Sequence, residues 1–235
     1  LLAIIFQSST AVAVLTAGFV SSGFITSSVG VATVLGADLG SALVIQILSF
    51  NLTWLAPVCL IVGGILFFNG KKRSFKQTGR ILVGVALILI SLKLLAESTA
   101  PLRQNEVVPI IVDYLTSDPI STFLFGAVFT WLIHSSIASI LLIIAFVAQS
   151  IVPPDVAVAL VLGANTGGAF IAVILARNLN TRGQVVPLSN FCLRGVAAVL
   201  ALATIHSLGM PSILSNLSTT QQIISFHIVF NMLLV

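Results

Sequence analysis

Gly36-Ala37-Asp38-Leu39-Gly40-Ser41-Ala42 and Gly163-Ala164-Asn165-Thr166-Gly167-Gly168-Ala169 are two versions of one patch, and their recurrence decides how the chain is read. Each stands 29 residues after a second shared patch. Gln7-Ser8-Ser9-Thr10-Ala11 precedes the first copy and His134-Ser135-Ser136-Ile137-Ala138 precedes the second. One shift of 127 residues aligns both pairs, and between 31–42 and 158–169 eight of twelve positions are identical. Small polar residues returning at fixed spacing in an apolar chain mark an internal repeat.

The chain is 58% hydrophobic and only 7% charged, with a mean hydropathy of +1.19. Soluble domains carry about 25% charged residues, so this composition belongs to a polytopic membrane protein. The net charge of +4 does not point to nucleic acid, because the excess sits in one loop and reports orientation in a bilayer. Cys59 and Cys192 stand in apolar runs without a CxxC or a nearby His, and read as small buried apolar residues. Residues 1–6 resemble the middle of an apolar segment and 230–235 looks interrupted, so the chain is expected to be a fragment of a longer protein.

Apolar segments fall at 24–48, 54–68, 81–96, 156–176, 187–207 and 221–235. Two more, 1–22 and 120–150, are interrupted by the polar residues of the shared patches. The stretch 69–80 holds Lys71, Lys72, Arg73, Lys76 and Arg80, half of all Lys and Arg, and is placed in the cytoplasm. The connector 97–118 holds four of the six acids and is placed outside. If 120–150 crossed once, Arg177 and Arg182 would face outside, against the positive-inside tendency. If it turns back at His134-Ser135-Ser136, they face inside, which fits better. The same walk backward turns 1–22 back on the cytoplasmic side.

The expected fold is therefore an all-α polytopic membrane protein of two inverted-topology repeats. Each is a re-entrant helical hairpin plus about three transmembrane helices. The first repeat occupies 1–96, the extracytoplasmic connector 97–118 and the second, inverted repeat 119–235. Many secondary transporters have this architecture, with half-helix N-termini at a central site.

Asp38 is the only acid well inside an expected span. A charge at mid-bilayer costs at least ~2.5 kcal/mol, so Asp38 is either a protonated or hydrogen-bonded structural acid or a cation or proton ligand. Asn165 at the equivalent position favours the second reading. Serines in membrane helices commonly serve packing, but the duplicated spacing favours a site. His134 is either a packing residue or a substrate contact. His227 and Asn231, four apart, share a helix face and are expected to hydrogen-bond each other.

The paired patches resemble the sodium/phosphate cotransporter family, whose repeats carry a Gln-Ser-Ser-Ser-type motif followed by a Gly-Ala-Asn-Ile-Gly-Thr-Thr-type motif. The ending Phe226-His227-Ile228-Val229-Phe230-Asn231 is similar to the family's His-x-x-Phe-Asn ending. The resemblance covers nearly the whole chain and is nearest to the bacterial branch, whose members often add a helical domain similar to the phosphate-uptake regulator. This chain departs from the pattern at Asp38 (usually Asn), His134 (usually Gln) and Gly168 (usually Thr).

The resemblance implies a sodium-coupled phosphate symporter in the bacterial inner membrane, not an enzyme, with sodium as co-transported ion and phosphate and the lipid bilayer as partners. Phosphate needs donors and positive potential away from water. The candidates are Gln7, Ser8, Ser9, Thr10, His134, Ser135 and Ser136 together with helix N-termini, each worth roughly +0.5 charge. Sodium, a hard cation, takes oxygen ligands, here Asp38, Ser41, Asn165 and Thr166 with carbonyls of backbone expected to unwind at the glycine patches. The alternatives are a sodium-independent or export-directed transporter of phosphate or another oxyanion such as arsenate or sulfate, and, further off, a channel. An intramembrane hydrolase lacks a Gly-x-Ser-x-Gly elbow.

Overall fold

A computed structural model describes residues 8–50, 52, 54–211 and 214–235. Gln7 lies outside the described residues. Regular structure among them is helical, in ten α-helices: α1 Ser9–Ser21, α2 Ser27–Leu48, α3 Leu55–Asn69, α4 Arg73–Thr99, α5 Val107–Ser117, α6 Pro119–Ile133, α7 Ser136–Ala148, α8 Pro154–Leu175, α9 Thr181–Leu208 and α10 Thr219–Leu233. A 3-10 helix, Ala100–Gln104, follows α4.

Four stretches among the described residues are long and apolar enough to cross a membrane: α2, α4 with its 3-10 extension, α8 and α9. The pair α5 and α6, bent by 114° at Asp118, adds a fifth if taken as one broken span, whereas α1, α3 and α7 are apolar but shorter. The break expected at His134-Ser135-Ser136 is present, with α6 ending at Ile133 and α7 starting at Ser136.

The repeat seen in the letters recurs in the helix bounds. α7 starts and ends 127 residues after α1, and α8 starts and ends 127 residues after α2. The caps match too: Ser8 and Ser135 are both extended N-cap residues, and their hydroxyls accept from Ala11 N (3.1 Å) and Ala138 N (3.2 Å). Each hydroxyl satisfies a donor that the first helical turn leaves without an intrahelical partner.

Three expectations are corrected. The glycine patches do not unwind: α2 and α8 run unbroken through both. In α8 the glycines serve close packing instead. A Cβ on Gly163 would collide with the Phe123 carbonyl oxygen and one on Gly167 with that of Ala127, while Gly126 of α6 meets Leu160 in the same way. Small residues let helix backbones approach where there is no water to drive burial.

The basic stretch 69–80 is mostly helix, since α4 begins at Arg73 and leaves only a three-residue turn after α3. Lys and Arg are good helix formers, and Arg80 lies over the Phe67 ring. Finally, Cys59 is buried as expected but Cys192 is exposed on α9.

The chain packs as two compact units, Ile47–Pro101 and the remainder. In the smaller, α3 and α4 form a hairpin, and a Cβ on Gly79 would lie 2.6 Å from the Gly63 carbonyl oxygen. The larger unit is built around α8, which packs on α1, α5, α6, α7, α9 and α10. Every residue of α8 from Val156 to Ala169 is buried. The N-terminal end of α9 is tied to the end of α1, where Asn180 Nδ2 donates to the Ser21 carbonyl at 2.8 Å. The second patches of the two repeats meet at one cavity, lined by Asp38 and Ser41 from the first and Asn165, Gly168 and Ala169 from the second.

Candidate functional site

Arg194 organises the site. On α9 the buried residues Gly183, Val186, Pro187, Asn190, Arg194 and Ala198 follow one another at short, helix-like steps, so they form the inner face of an amphipathic helix. Arg194 is 2% exposed. Its guanidinium meets three oxygens from three other helices. Nε lies 2.8 Å from Asp38 Oδ2 of α2, an ionic contact that is out of line for a hydrogen bond. Nη1 donates to Asn165 Oδ1 of α8 at 2.7 Å, and Nη2 donates to Asn231 Oδ1 of α10. Asn190 Nδ2, one turn before Arg194, donates to the same Asp38 Oδ2 at 3.0 Å.

Those bonds orient the next layer. Because both Asn165 and Asn231 turn their oxygens to Arg194, their amide nitrogens face His227 Nδ1, at 3.0 and 3.3 Å. Two N–H donors at Nδ1 require that nitrogen to be the acceptor, which places the imidazole proton on Nε2. Asn165 Nδ2 also donates to Val161 O (3.0 Å) and Asn231 Nδ2 to His227 O (2.7 Å), so the amides are held from both sides. A buried ion pair depends on further hydrogen bonds to its groups; here Arg194 Nη1 and Nη2 and Asp38 Oδ2 have them, whereas Arg194 Nε and Asn190 Oδ1 are left without one.

Beside the network is a cavity of about 10 Å³ lined by Asp38, Ser41, Asn165, Gly168, Arg194 and His227, together with Ser9 and Ser136. That volume is near the smallest that holds one water, so the helices are closed on the site. Ser9 and Ser136 are the first residues of α1 and α7. Two helix N-termini therefore abut the cavity, each a place that favours an anion. Gly168 makes room for one of them, because a Cβ there would press on Ser136 Cβ at 3.0 Å.

The sequence profile of the Na+/Pi-cotransporter family matches residues 1–97 and 103–235. The chain belongs to the Na+/Pi-cotransporter family. Among curated proteins it is similar to YjbB of Escherichia coli K12, provisionally named an inorganic phosphate export protein, with 33% identity over 226 residues, 96% of this chain and 42% of YjbB. The YjbB of Salmonella typhimurium is 32% identical over the same share of each chain. YqeW of Bacillus subtilis, which has no assigned activity, is 28% identical over 97% of this chain and 74% of YqeW. The chain thus spans under half the length of its YjbB relatives. No solved structure matches it.

Within this family member the expected site residues separate into two groups. Asp38, Ser41, Asn165, Ser9 and Ser136 come together at the cavity. Ser8 and Ser135 sit one residue behind as helix caps. Thr10 is half-buried on the first turn of α1. Thr166 donates to Leu162 O within α8, and its methyl lies toward Gly195 rather than into the cavity. His134 ends α6 in the left-handed region (φ 60°), exposed, with Nδ1 3.1 Å from Leu132 O. Arg194 and Asn190 were not singled out by the reading of the sequence, although a lone arginine inside an expected span was a signal equal to that of Asp38.

Proposed function

We propose that this chain carries the transport core of an inorganic phosphate transporter that works by alternating access and runs chiefly in the export direction. The observation that carries the reading is the meeting of Ser9 and Ser136, matched first residues of two helices 127 residues apart, at one buried cavity with Arg194. Phosphate would accept from the two hydroxyls, from backbone N–H groups of both first turns and from the guanidinium, whose planar fork suits phosphate oxygens. Ser8 and Ser135 would hold the two N-termini in place.

The repeats would be inverted and occupy 1–96 and 119–235, with 97–118 as connector, and would rock about the site in the bacterial plasma membrane. Export is preferred over import because of the provisional naming of the YjbB relatives. Sodium-driven uptake is the second reading, supported by the family description and by the carboxylate, hydroxyl and amide oxygens of Asp38, Ser41 and Asn165 around one cavity.

Phosphate flux through proteoliposomes of the full-length protein separates the two. Net efflux down an outward phosphate gradient, without uphill uptake under an inward sodium gradient, supports the export reading. Uphill uptake that follows an inward sodium gradient supports the symporter. Absence of any phosphate flux under either gradient overturns both.

A further inference from the structure

Arg194 is already occupied. Its Nε edge faces Asp38 Oδ2 at 2.8 Å, and its two terminal nitrogens donate to Asn165 and Asn231. The Asp38 carboxylate is itself an anion at the cavity wall, 12% exposed, and takes both Arg194 and Asn190 on one oxygen. Among the described residues, the other charged or titratable side chains that line the cavity are Arg194 and His227, and His227 accepts two amide N–H bonds at Nδ1. Arg194 is thus the only cationic side chain among them that faces Asp38 there. The cavity of about 10 Å³ leaves no room for a phosphate while this arrangement holds.

An incoming phosphate therefore meets an arginine whose charge is balanced and whose carboxylate partner would repel it. Two anions on one buried cation leave excess negative charge in a medium where charge is poorly screened. Of the three oxygens on Arg194, the amides of Asn165 and Asn231 are neutral and held by further bonds to Val161 O and His227 O. Asp38 is the charged one.

We propose that Asp38 is a tethered competitor for phosphate: its carboxylate occupies Arg194 when the site is empty, and phosphate binds by taking Arg194 from it. The inference rests on phosphate being the substrate of this site. Asp38, once released, is a free carboxylate facing the cavity, with the hydroxyl of Ser41 nearly one helical turn further along α2. Sodium that takes it relieves the repulsion, so sodium and phosphate each strengthen the other's binding by the same factor. Occupation of Arg194 by Asp38 also gives the empty carrier a neutral, closed site in which to return.

The test is equilibrium binding of phosphate to the full-length protein, at one fixed pH, in sodium and in choline. The wild type is expected to bind phosphate about tenfold more tightly in sodium, within the usual range of coupling between sites. Asp38→Asn keeps the shape and the hydrogen-bond acceptor but removes the competing charge. It is expected to bind phosphate in choline at least about as tightly as the wild type does in sodium, with the sodium dependence gone. Labelled sodium binding to the wild type, with and without phosphate, needs no variant and must show the same factor. Asp38→Asn that binds no tighter in choline, or sodium dependence that survives the substitution, overturns the proposal. A wild type that binds no phosphate in either salt overturns the phosphate site itself, which is a different result.

Discussion

Removing the cation alone should cost more than removing both members of the pair. Arg194→Met keeps much of the length of the side chain and deletes the guanidinium. Asp38 then stands as a carboxylate 12% exposed without its ionic partner, and the Oδ1 atoms of Asn165 and Asn231 lose the donor that oriented them. Hydrogen bonds to a charged group contribute about 1.5–3 kcal/mol each, so the two to Arg194 alone account for about 3–6 kcal/mol. Breaking a buried ion pair from one side costs about 3–5 kcal/mol in other systems, which agrees.

The double variant Asp38→Asn with Arg194→Met has no stranded charge, and the new amide in place of the Asp38 carboxylate retains an acceptor for Asn190 Nδ2. It should be more stable than Arg194→Met alone, with a coupling energy of about 1–3 kcal/mol. Reversible unfolding of the full-length protein in mixed detergent and SDS micelles, followed by circular dichroism, measures all four corners of the cycle. An additive cycle, or an Arg194→Met cost under about 1 kcal/mol, would refute the reasoning that the pair is buried and mutually dependent.

Three further outcomes follow from the same geometry. Gly163→Ala should destabilise by about 1–3 kcal/mol, since its Cβ meets Phe123 O and Ala127 N with no flexible atom to yield; Gly195→Ala, whose nearest neighbour is Thr166 Cγ2 at 3.8 Å, should be tolerated, and the same unfolding assay compares them. Ser8→Ala and Ser135→Ala should each cost about 1 kcal/mol as lost caps while weakening phosphate binding less than Ser9→Ala and Ser136→Ala do, as read by phosphate titration. Asp118 sits in the turn before α6, where the Ser121 hydroxyl and amide, with the Ile120 amide, hold its carboxyl below its usual value of 3.8. Its contribution to stability is therefore complete above that value and lost as pH falls through the lower folded-state pKa, and Asp118→Asn should remove this part of the acid sensitivity in a pH series of unfolding curves.

Much of the fold was legible because the repeat is written in letters that local physics needs. Ser8 and Ser135 are good N-caps, so the helix starts after them follow from the sequence, and the 127-residue shift carries over to the ends of four helices. The polar interruption at 134–136 likewise becomes a break between two helices. The glycines were misread because a glycine in a membrane helix serves either unwinding or close approach, and only the neighbour decides. For Gly163 and Gly167 the neighbour is the backbone of α6, and local letters do not name it.

The site was half legible. Asp38 stood out as an acid in an apolar span, and its equivalence to Asn165 pointed to one shared place. Arg194 fell outside both shared patches, so attention to the repeat passed over it. What pairs Asp38 with Arg194 is the packing of four helices, which is non-local. A lone acid and a lone arginine in two apolar spans were still a hint, since burying either without a partner is costly. Thr166 shows the opposite failure. It lies inside the patch, but the turn of α8 aims it at α9 instead of the cavity.

In the proposed transport core, phosphate sits between Ser9, Ser136 and Arg194. The most direct measurement is a structure of the full-length protein with arsenate in place of phosphate, using the anomalous signal of arsenic to locate the anion. One peak is expected at the first turns of α1 and α7, within hydrogen-bond distance of Arg194, with Asp38 moved off the guanidinium. A peak elsewhere, with the Asp38–Arg194 contact intact, would contradict this placement.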